Sequence, residues 1–114
     1  MISKGPIYSL INEDGCCSVN GRRATTCENY SVFSLSDCEA ACTTHEPCVG
    51  YLYSYGFCYL IPSTHSCPTG YDLYLFSLGT PATSDDLEAD RIHKPAGGGW
   101  VCYGKNLSNI DRSN

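Results

Sequence analysis

Nine cysteines in 114 residues constrain this chain more than any other feature. Six fall between Cys27 and Cys67, with Cys38, Cys42, Cys48 and Cys58 in one compact run. A chain this short buries a modest core, so cross-links carry part of its stability. Each disulfide contributes about 2–4 kcal/mol by restricting the unfolded chain. Such bridges persist in oxidising compartments, which points outside the cell.

Charge narrows the partners. The net charge is −5, from seven basic and twelve acidic residues. An acidic chain repels nucleic acid and anionic membranes, so neither is expected as a partner. Arg22-Arg23 is the one adjacent basic pair, too little for a polyanion stripe unless folding gathers Lys4, Lys94 and Lys105 beside it. A solvated surface is the default for this pair, and contact with a sulfated or acidic ligand is the sharper reading. No apolar run is long enough to span a bilayer, so no membrane insertion is expected. The first six residues, Met1-Ile2-Ser3-Lys4-Gly5-Pro6, lack the apolar stretch of a signal peptide. An excised part of a larger secreted or cell-surface protein, with Met1 added for expression, reconciles this with the cysteines. The alternative is a cytosolic chain with reduced thiols or a metal. Two sequons, Asn29-Tyr30-Ser31 and Asn106-Leu107-Ser108, make Asn29 and Asn106 glycosylation candidates.

Residues 1–15 form a lead-in in which Ile7-Tyr8-Ser9-Leu10-Ile11 predicts a short strand and Asn12-Glu13-Asp14-Gly15 a turn. Residues 16–106 form the domain, and 107–114 a loose tail. Adjacent Cys16 and Cys17 do not readily pair with each other, so each looks elsewhere. Asn20-Gly21 signals a tight turn. Tyr30-Ser31-Val32-Phe33 predicts a strand. Ser36-Asp37-Cys38-Glu39 has the form of a capping box, with Ser36 as N-cap and Glu39 reaching back. Asp37 suits the positive end of the helix dipole, and Ala40 and Ala41 favour helix. The helix is expected over about 37–43, before Pro47 forbids continuation.

Beyond it, Cys48-Val49-Gly50-Tyr51-Leu52-Tyr53 and Phe57-Cys58-Tyr59-Leu60-Ile61 predict a hairpin turning at Ser54-Tyr55-Gly56. Gly50, inside a strand, invites close packing against its backbone. Residues 71–76 predict another strand. From Gly79 to Gly99 the chain is rich in Gly, Pro and Asp, with one short acidic helix expected from a Ser84 cap. Trp100-Val101-Cys102-Tyr103 predicts the last strand.

Cys38 and Cys42, four apart, share a helical face. One cysteine precedes the hairpin's first strand and one lies in its second. Four cysteines allow three pairings, and spacing alone does not choose. Geometry favours Cys42–Cys48, since Cys42 ends the helix and Cys48 opens the next strand, and leaves Cys38–Cys58 as the longer link.

Ser34-Leu35-Ser36-Asp37-Cys38-Glu39-Ala40-Ala41-Cys42, Cys48-Val49-Gly50-Tyr51-Leu52-Tyr53 and Cys58-Tyr59-Leu60 together resemble the PAN/Apple domain family. The resemblance covers residues 34–61 closely and 16–102 more loosely. It implies a helix with two cysteines against a small antiparallel sheet, joined by the same two links. It also implies a link between the ends of the domain, placing Cys102 with Cys16, Cys17 or Cys27 and leaving Cys67 one of those remaining. The Cys16-Cys17 doublet and the long insertion between Phe76 and Trp100 depart from the family pattern. WSC-like carbohydrate-binding domains share the cysteine texture, but their Cys-Tyr/Trp-Cys-Gly motif is not evident. The expected fold class is therefore α+β: a small disulfide-rich domain with one short helix packed on a four- or five-stranded antiparallel sheet.

The resemblance implies a module that binds protein or carbohydrate outside the cell, with no invariant ligand residues to carry over. Among the nine tyrosines, most are expected in the core or on the sheet. Tyr53 and Tyr55, near the hairpin tip, are the exposed candidates for recognition, since tyrosine joins large contact area to a hydroxyl. No enzyme is expected. His45, His65, His93, Glu46 and Asp72 form no recognisable catalytic pattern, and no Gly-x-Ser-x-Gly elbow is present. No cofactor or metal is expected, because Cys38-x3-Cys42 and His65-x-Cys67 lack the paired knuckles of a zinc site. An odd cysteine count leaves one thiol free or paired with another molecule. A disulfide-linked dimer through Cys16 or Cys17 would fit the second reading, a secreted matrix protein. A small secreted hydrolase or inhibitor is the third.

Overall fold

Cys48–Ser54 is buried along almost its whole length, as a strand covered on both faces must be. The rest of the architecture is built around it. The computed structural model describes residues 7–29, 31, 33–74, 81, 83–90 and 99–106. Over these the strands are β1 (Ile7–Asn12), β2 (Cys17–Val19), β3 (Arg22–Arg23), β4 (Thr26–Asn29), β5 (Cys48–Ser54), β6 (Phe57–Pro62), β7 (Asp72–Tyr74), β8 (Glu88–Ala89) and β9 (Val101–Asn106). One helix, α1 (Leu35–Thr44), lies between β4 and β5, and a 3-10 turn covers Ser84–Asp86.

Six strands form one sheet in the order β1-β9-β5-β6-β4-β7, and three form a second in the order β3-β2-β8. Every pairing is antiparallel. The main sheet thus exceeds the four or five strands expected, because β1 is added outside β9 at one edge and β4 and β7 are added outside β6 at the other. Strand β4 precedes the strand expected over 30–33, in which Tyr30 and Val32 lie outside the described residues and Ser31 and Phe33 are not in a strand. Asp72–Tyr74 is the part of the expected 71–76 strand that forms, with Leu75 and Phe76 outside the description.

Strand alternation sorts the side chains onto two faces. Tyr51, Leu60, Tyr103 and Cys58 face α1 and pack with Cys27, Cys38, Cys42 and Cys48. Leu52, Ile61, Trp100 and Cys102 face the small sheet and pack with Cys17, Ala24 and Leu87. The domain is therefore three-layered: helix, six-stranded sheet, three-stranded sheet.

Helix α1 starts at a Ser34 cap, whose Oγ accepts the Asp37 amide at 3.0 Å. Ser36 and Glu39, the expected capping box, lie inside the helix instead. Glu39 is drawn elsewhere: its Oε1 accepts the Tyr51 hydroxyl at 2.9 Å. Only Cys38 and Cys42 of the ten helical residues are buried. No basic residue occupies the last turn. Lys105 on β9 supplies that charge from across the fold, its Nζ 2.7 Å from the Cys42 carbonyl.

Four disulfides lock these layers. Cys38–Cys58 and Cys42–Cys48 bolt α1 to the central hairpin, as geometry favoured. Cys17–Cys102 joins the small sheet to β9, and Cys27–Cys67 pins the loop after β6 to β4. Cys16 is the free thiol, 4% exposed in the core beside its bonded neighbour. Burial pushes its thiol up, so the reactive thiolate is disfavoured. The odd cysteine is thus a buried free thiol, and an intermolecular bridge through it requires the fold to open.

The acidic helix expected near residue 84 is a single 3-10 turn capped by Thr83, whose hydroxyl accepts the Asp85 amide. Its extension is cut short where Glu88–Ala89 pairs with β2. Residues 79–80, 82 and 91–98 of the Gly- and Pro-rich stretch and the 107–114 tail lie outside the described residues.

The tyrosine core has an alkaline signature. Tyr51 stacks on Tyr103 at 5.3 Å and meets Tyr8 edge-on at 5.4 Å. Burial pushes the Tyr8 phenol up to about 12. Burial, then the bond to Glu39, moves Tyr51 in the same direction. A phenol raised in the fold contributes stability that is complete below its unfolded value near 10 and is lost as pH climbs through about 12. Lys105 has the opposite sign: burial lowers its ammonium, so stability gains with pH just below the ordinary lysine value. Absorbance titration of the phenols is expected to show a late-ionising group, and the urea midpoint to fall above about pH 10. Replacing Tyr8 by Phe should flatten that fall.

Candidate ligand-binding cleft

The outward stripe of α1 is made of short side chains. Asp37, Ala40, Ala41 and Thr44 recur three or four apart and so lie along one face. Their small size leaves a groove beside the helix. The loop after β6 forms the opposite wall through Pro68 and Tyr71, and Phe33 closes one end. The resulting cleft has a volume of about 570 Å³, within the range of small-ligand sites.

Each wall is held from behind. Cys27–Cys67 draws the loop toward β4, with Cα atoms 5.6 Å apart. His45 Nε2 lies 2.9 Å from the Ser66 carbonyl, and the Asn29 side-chain amide donates to the Gly70 carbonyl at 3.1 Å. Phe33 is clamped at both backbone groups. Its amide donates to the Gly56 carbonyl at 2.8 Å, and its carbonyl accepts the Tyr53 hydroxyl at 2.8 Å. The Phe33 and Tyr71 rings meet at 6.3 Å with a 43° tilt, forming an aromatic corner. Burial pushes the Tyr71 phenol up. The Asp37 carboxylate has no hydrogen-bond or ion-pair partner among the described residues.

The residues expected to bind ligand are dispersed. Tyr53 is half-buried, its hydroxyl spent on Phe33, so it offers no free platform; as a β5 residue with its side chain toward α1 it fills the helix layer. Tyr55 is 79% exposed at the hairpin tip. The turn is the two-residue Tyr55-Gly56, tighter than expected, with φ of 44° and 92°. This geometry favours Asn-Gly, and a bulky residue there carries a cost of about 1–2 kcal/mol. Beside it Phe57 is also exposed. The Tyr55 ring lies against Gly99, where a Cβ would fall 2.5 Å from it.

Arg22 and Arg23 point to opposite sides of β3. Arg22 is exposed, whereas Arg23 turns inward with Nη2 4.0 Å from Cys16 Sγ. Lys105 is buried under α1 on the other side of the main sheet, so it does not join them. Lys4 and Lys94 lie outside the described residues. Asn29 uses both ends of its side chain, the oxygen accepting the Ser31 amide at 2.8 Å. Asn106 ends β9 half-buried, and the rest of its sequon is outside the description. His65 and Asp72 are exposed, and His93 is not described. Cys38, Cys42 and Cys67 are all spent on disulfides, so none is a thiolate ligand.

Sequence reasoning missed the cleft. Its walls lie up to 38 positions apart, from Phe33 to Tyr71, and are joined by a disulfide whose partners were left open. The outward Asp37-Ala40-Ala41-Thr44 stripe was the available signal.

The fold and its cross-links define a small disulfide-rich α+β domain. No described helix is long and apolar enough to cross a membrane. Comparison with family models, curated proteins and solved structures finds no match.

Proposed function

We propose that this chain is a non-catalytic extracellular binding module of PAN/Apple type that recognises protein or carbohydrate through one end of its central sheet. The observation that carries the reading is the aromatic-walled cleft, open on the outer face of a helix that two disulfides hold in place. Tyr55 and Phe57 stand exposed at the hairpin tip, which the backbone Gly56–Phe33 hydrogen bond ties to the end of the cleft. A cross-linked frame keeps such a surface ordered before binding, which reduces the entropy lost on association. The two helix-to-hairpin bridges and the Cys17–Cys102 link agree with the PAN/Apple pattern, and four bridges suit an oxidising location. The matrix reading gains nothing from the cysteines, because the odd thiol is buried.

The test is binding of the folded chain to an ectodomain array and a glycan array, with Tyr55→Ala and Tyr71→Ala in parallel. At least one ligand is expected to lose tenfold or more in affinity with one variant, measured well below the melting temperature of each variant because Tyr71 also packs on the core. Ligands bound equally by all three proteins, or two blank arrays, would overturn the proposal.

A further inference from the structure

We infer that the cleft beside α1 receives an arginine side chain projected by a partner protein. This rests on the binding-module reading and assigns the ligand chemistry of its site. Three observations converge on a planar cation. The Asp37 carboxylate lines the cleft with no partner among the described residues. The Phe33 and Tyr71 rings line it too, and aromatic faces attract guanidinium groups through their quadrupole. No Lys or Arg lines the cleft, and the amino terminus of α1 offsets the Asp37 charge only in part.

Shape separates this from a sugar. The two rings meet at a 43° tilt rather than side by side. They form a corner, not the flat platform on which a pyranose ring spreads. The centroids are 6.3 Å apart, so the rings touch each other and leave no slot for a sandwiched ligand. A guanidinium fits by lying over one exposed ring face and turning its fork toward Asp37, where two parallel N–H donors match a carboxylate. The small side chains of Ala40 and Ala41 leave room for the aliphatic stem to run along the helix. Lysine presents a point charge and gains less from this planar geometry. The chain's net charge of −5 favours approach of a basic segment.

The experiment titrates the isotope-labelled chain with N-acetyl-arginine-N′-methylamide and follows the amide spectrum. Parallel titrations use the citrulline, lysine and methyl glucoside analogues. Citrulline keeps the shape of arginine and removes its charge. The expected result is saturable shifts at Phe33, Ala40, Ala41, Thr44 and Tyr71 with arginine, and binding weaker by about fivefold or more with citrulline and lysine. Asp37→Asn should erase the preference for arginine over citrulline. The Ser34 cap uses the Asp37 backbone amide, so that variant retains its helix. Tyr71→Leu, which keeps apolar volume, should weaken arginine binding about tenfold. Equal binding of arginine and citrulline, equal binding of lysine, tighter binding of the glucoside, or no shifts at the cleft would overturn the inference. Array ligands that depend on Tyr71 but show no arginine preference would sink this inference and leave the binding module standing. Arginine shifts at the cleft with blank arrays would do the reverse.

Discussion

A variant in which Cys38, Cys42, Cys48 and Cys58 are all alanine is expected to lose its helix and most of its stability. Beyond the bridges, the helix is held mainly by hydrogen bonds from Tyr8, Tyr51 and Lys105. Its two buried residues are the two cysteines, so its buried contact with the sheet is carried by the bridges. At ten residues it is too short to persist alone in water. The bridges close loops of 20 and 6 residues. Chain entropy assigns these about 3 and 2 kcal/mol, before any cost of the cavities left behind. Their sum is a large share of the 5–15 kcal/mol typical of a folded domain. Urea unfolding would give the loss, and hydrogen exchange would locate it. The amides of α1 should lose protection before those of β5 and β6. Retained protection across α1 would show that apolar contacts, not sulfur bridges, seat the helix. Removing only Cys42–Cys48 should cost less than removing only Cys38–Cys58, because its loop is shorter.

The second large effect falls on a single methyl group. Gly50→Ala is expected to destabilise the domain by about 2–3 kcal/mol. A Cβ at this position would lie 2.6 Å from the Tyr103 carbonyl oxygen and 2.8 Å from Leu87 Cδ1. The first of these is backbone in the neighbouring strand, so β9 must move away from β5 at the centre of the sheet. Gly104, paired with Gly50 across the ladder, provides the control. Its added methyl would meet the side-chain tip of Ile11 at 2.7 Å and Ser84 Cβ at 3.3 Å. A flexible tip can turn aside, so Gly104→Ala should cost about 1 kcal/mol or less. Urea midpoints of the two variants check the ordering, and equal losses would contradict it.

These effects also mark what local sequence reveals. The capping serine region, the alanines and Pro47 bounded the helix to within two residues at its start. The aromatic alternation around Tyr55-Gly56 gave the hairpin, and the interior glycine at 50 announced a close backbone approach. All are short-range signals. The β1–β9 pairing was not legible, because it joins Ile7 to Asn106 and no local pattern records a partner so distant. The small sheet was hidden for a related reason. Its strands are two or three residues long and gain their stability from packing against Ile61, Leu52 and Trp100 rather than from propensity. Ser36 and Glu39 made a good capping box on paper. Tertiary structure gave Glu39 a better partner in Tyr51, and the helix began two positions earlier. Tyr53 looked exposed by its nearness to the turn, yet strand alternation carried it inward to Phe33. The cleft depended on Cys27 finding Cys67, a choice the spacing left undecided.

The antiparallel register of Ile7 with Asn106 places these two residues side by side at one rim of the sheet. A pull transmitted through both would therefore peel β1 from β9 one hydrogen bond at a time, a low-force geometry. Cys17–Cys102 halts that peeling part-way, because once the pairings of Gly104 and Tyr103 with β5 give way the covalent bridge takes the load. Tension would lengthen the molecule slightly, draw Lys105 from the Cys42 carbonyl at the end of α1, and then stop at the bridge.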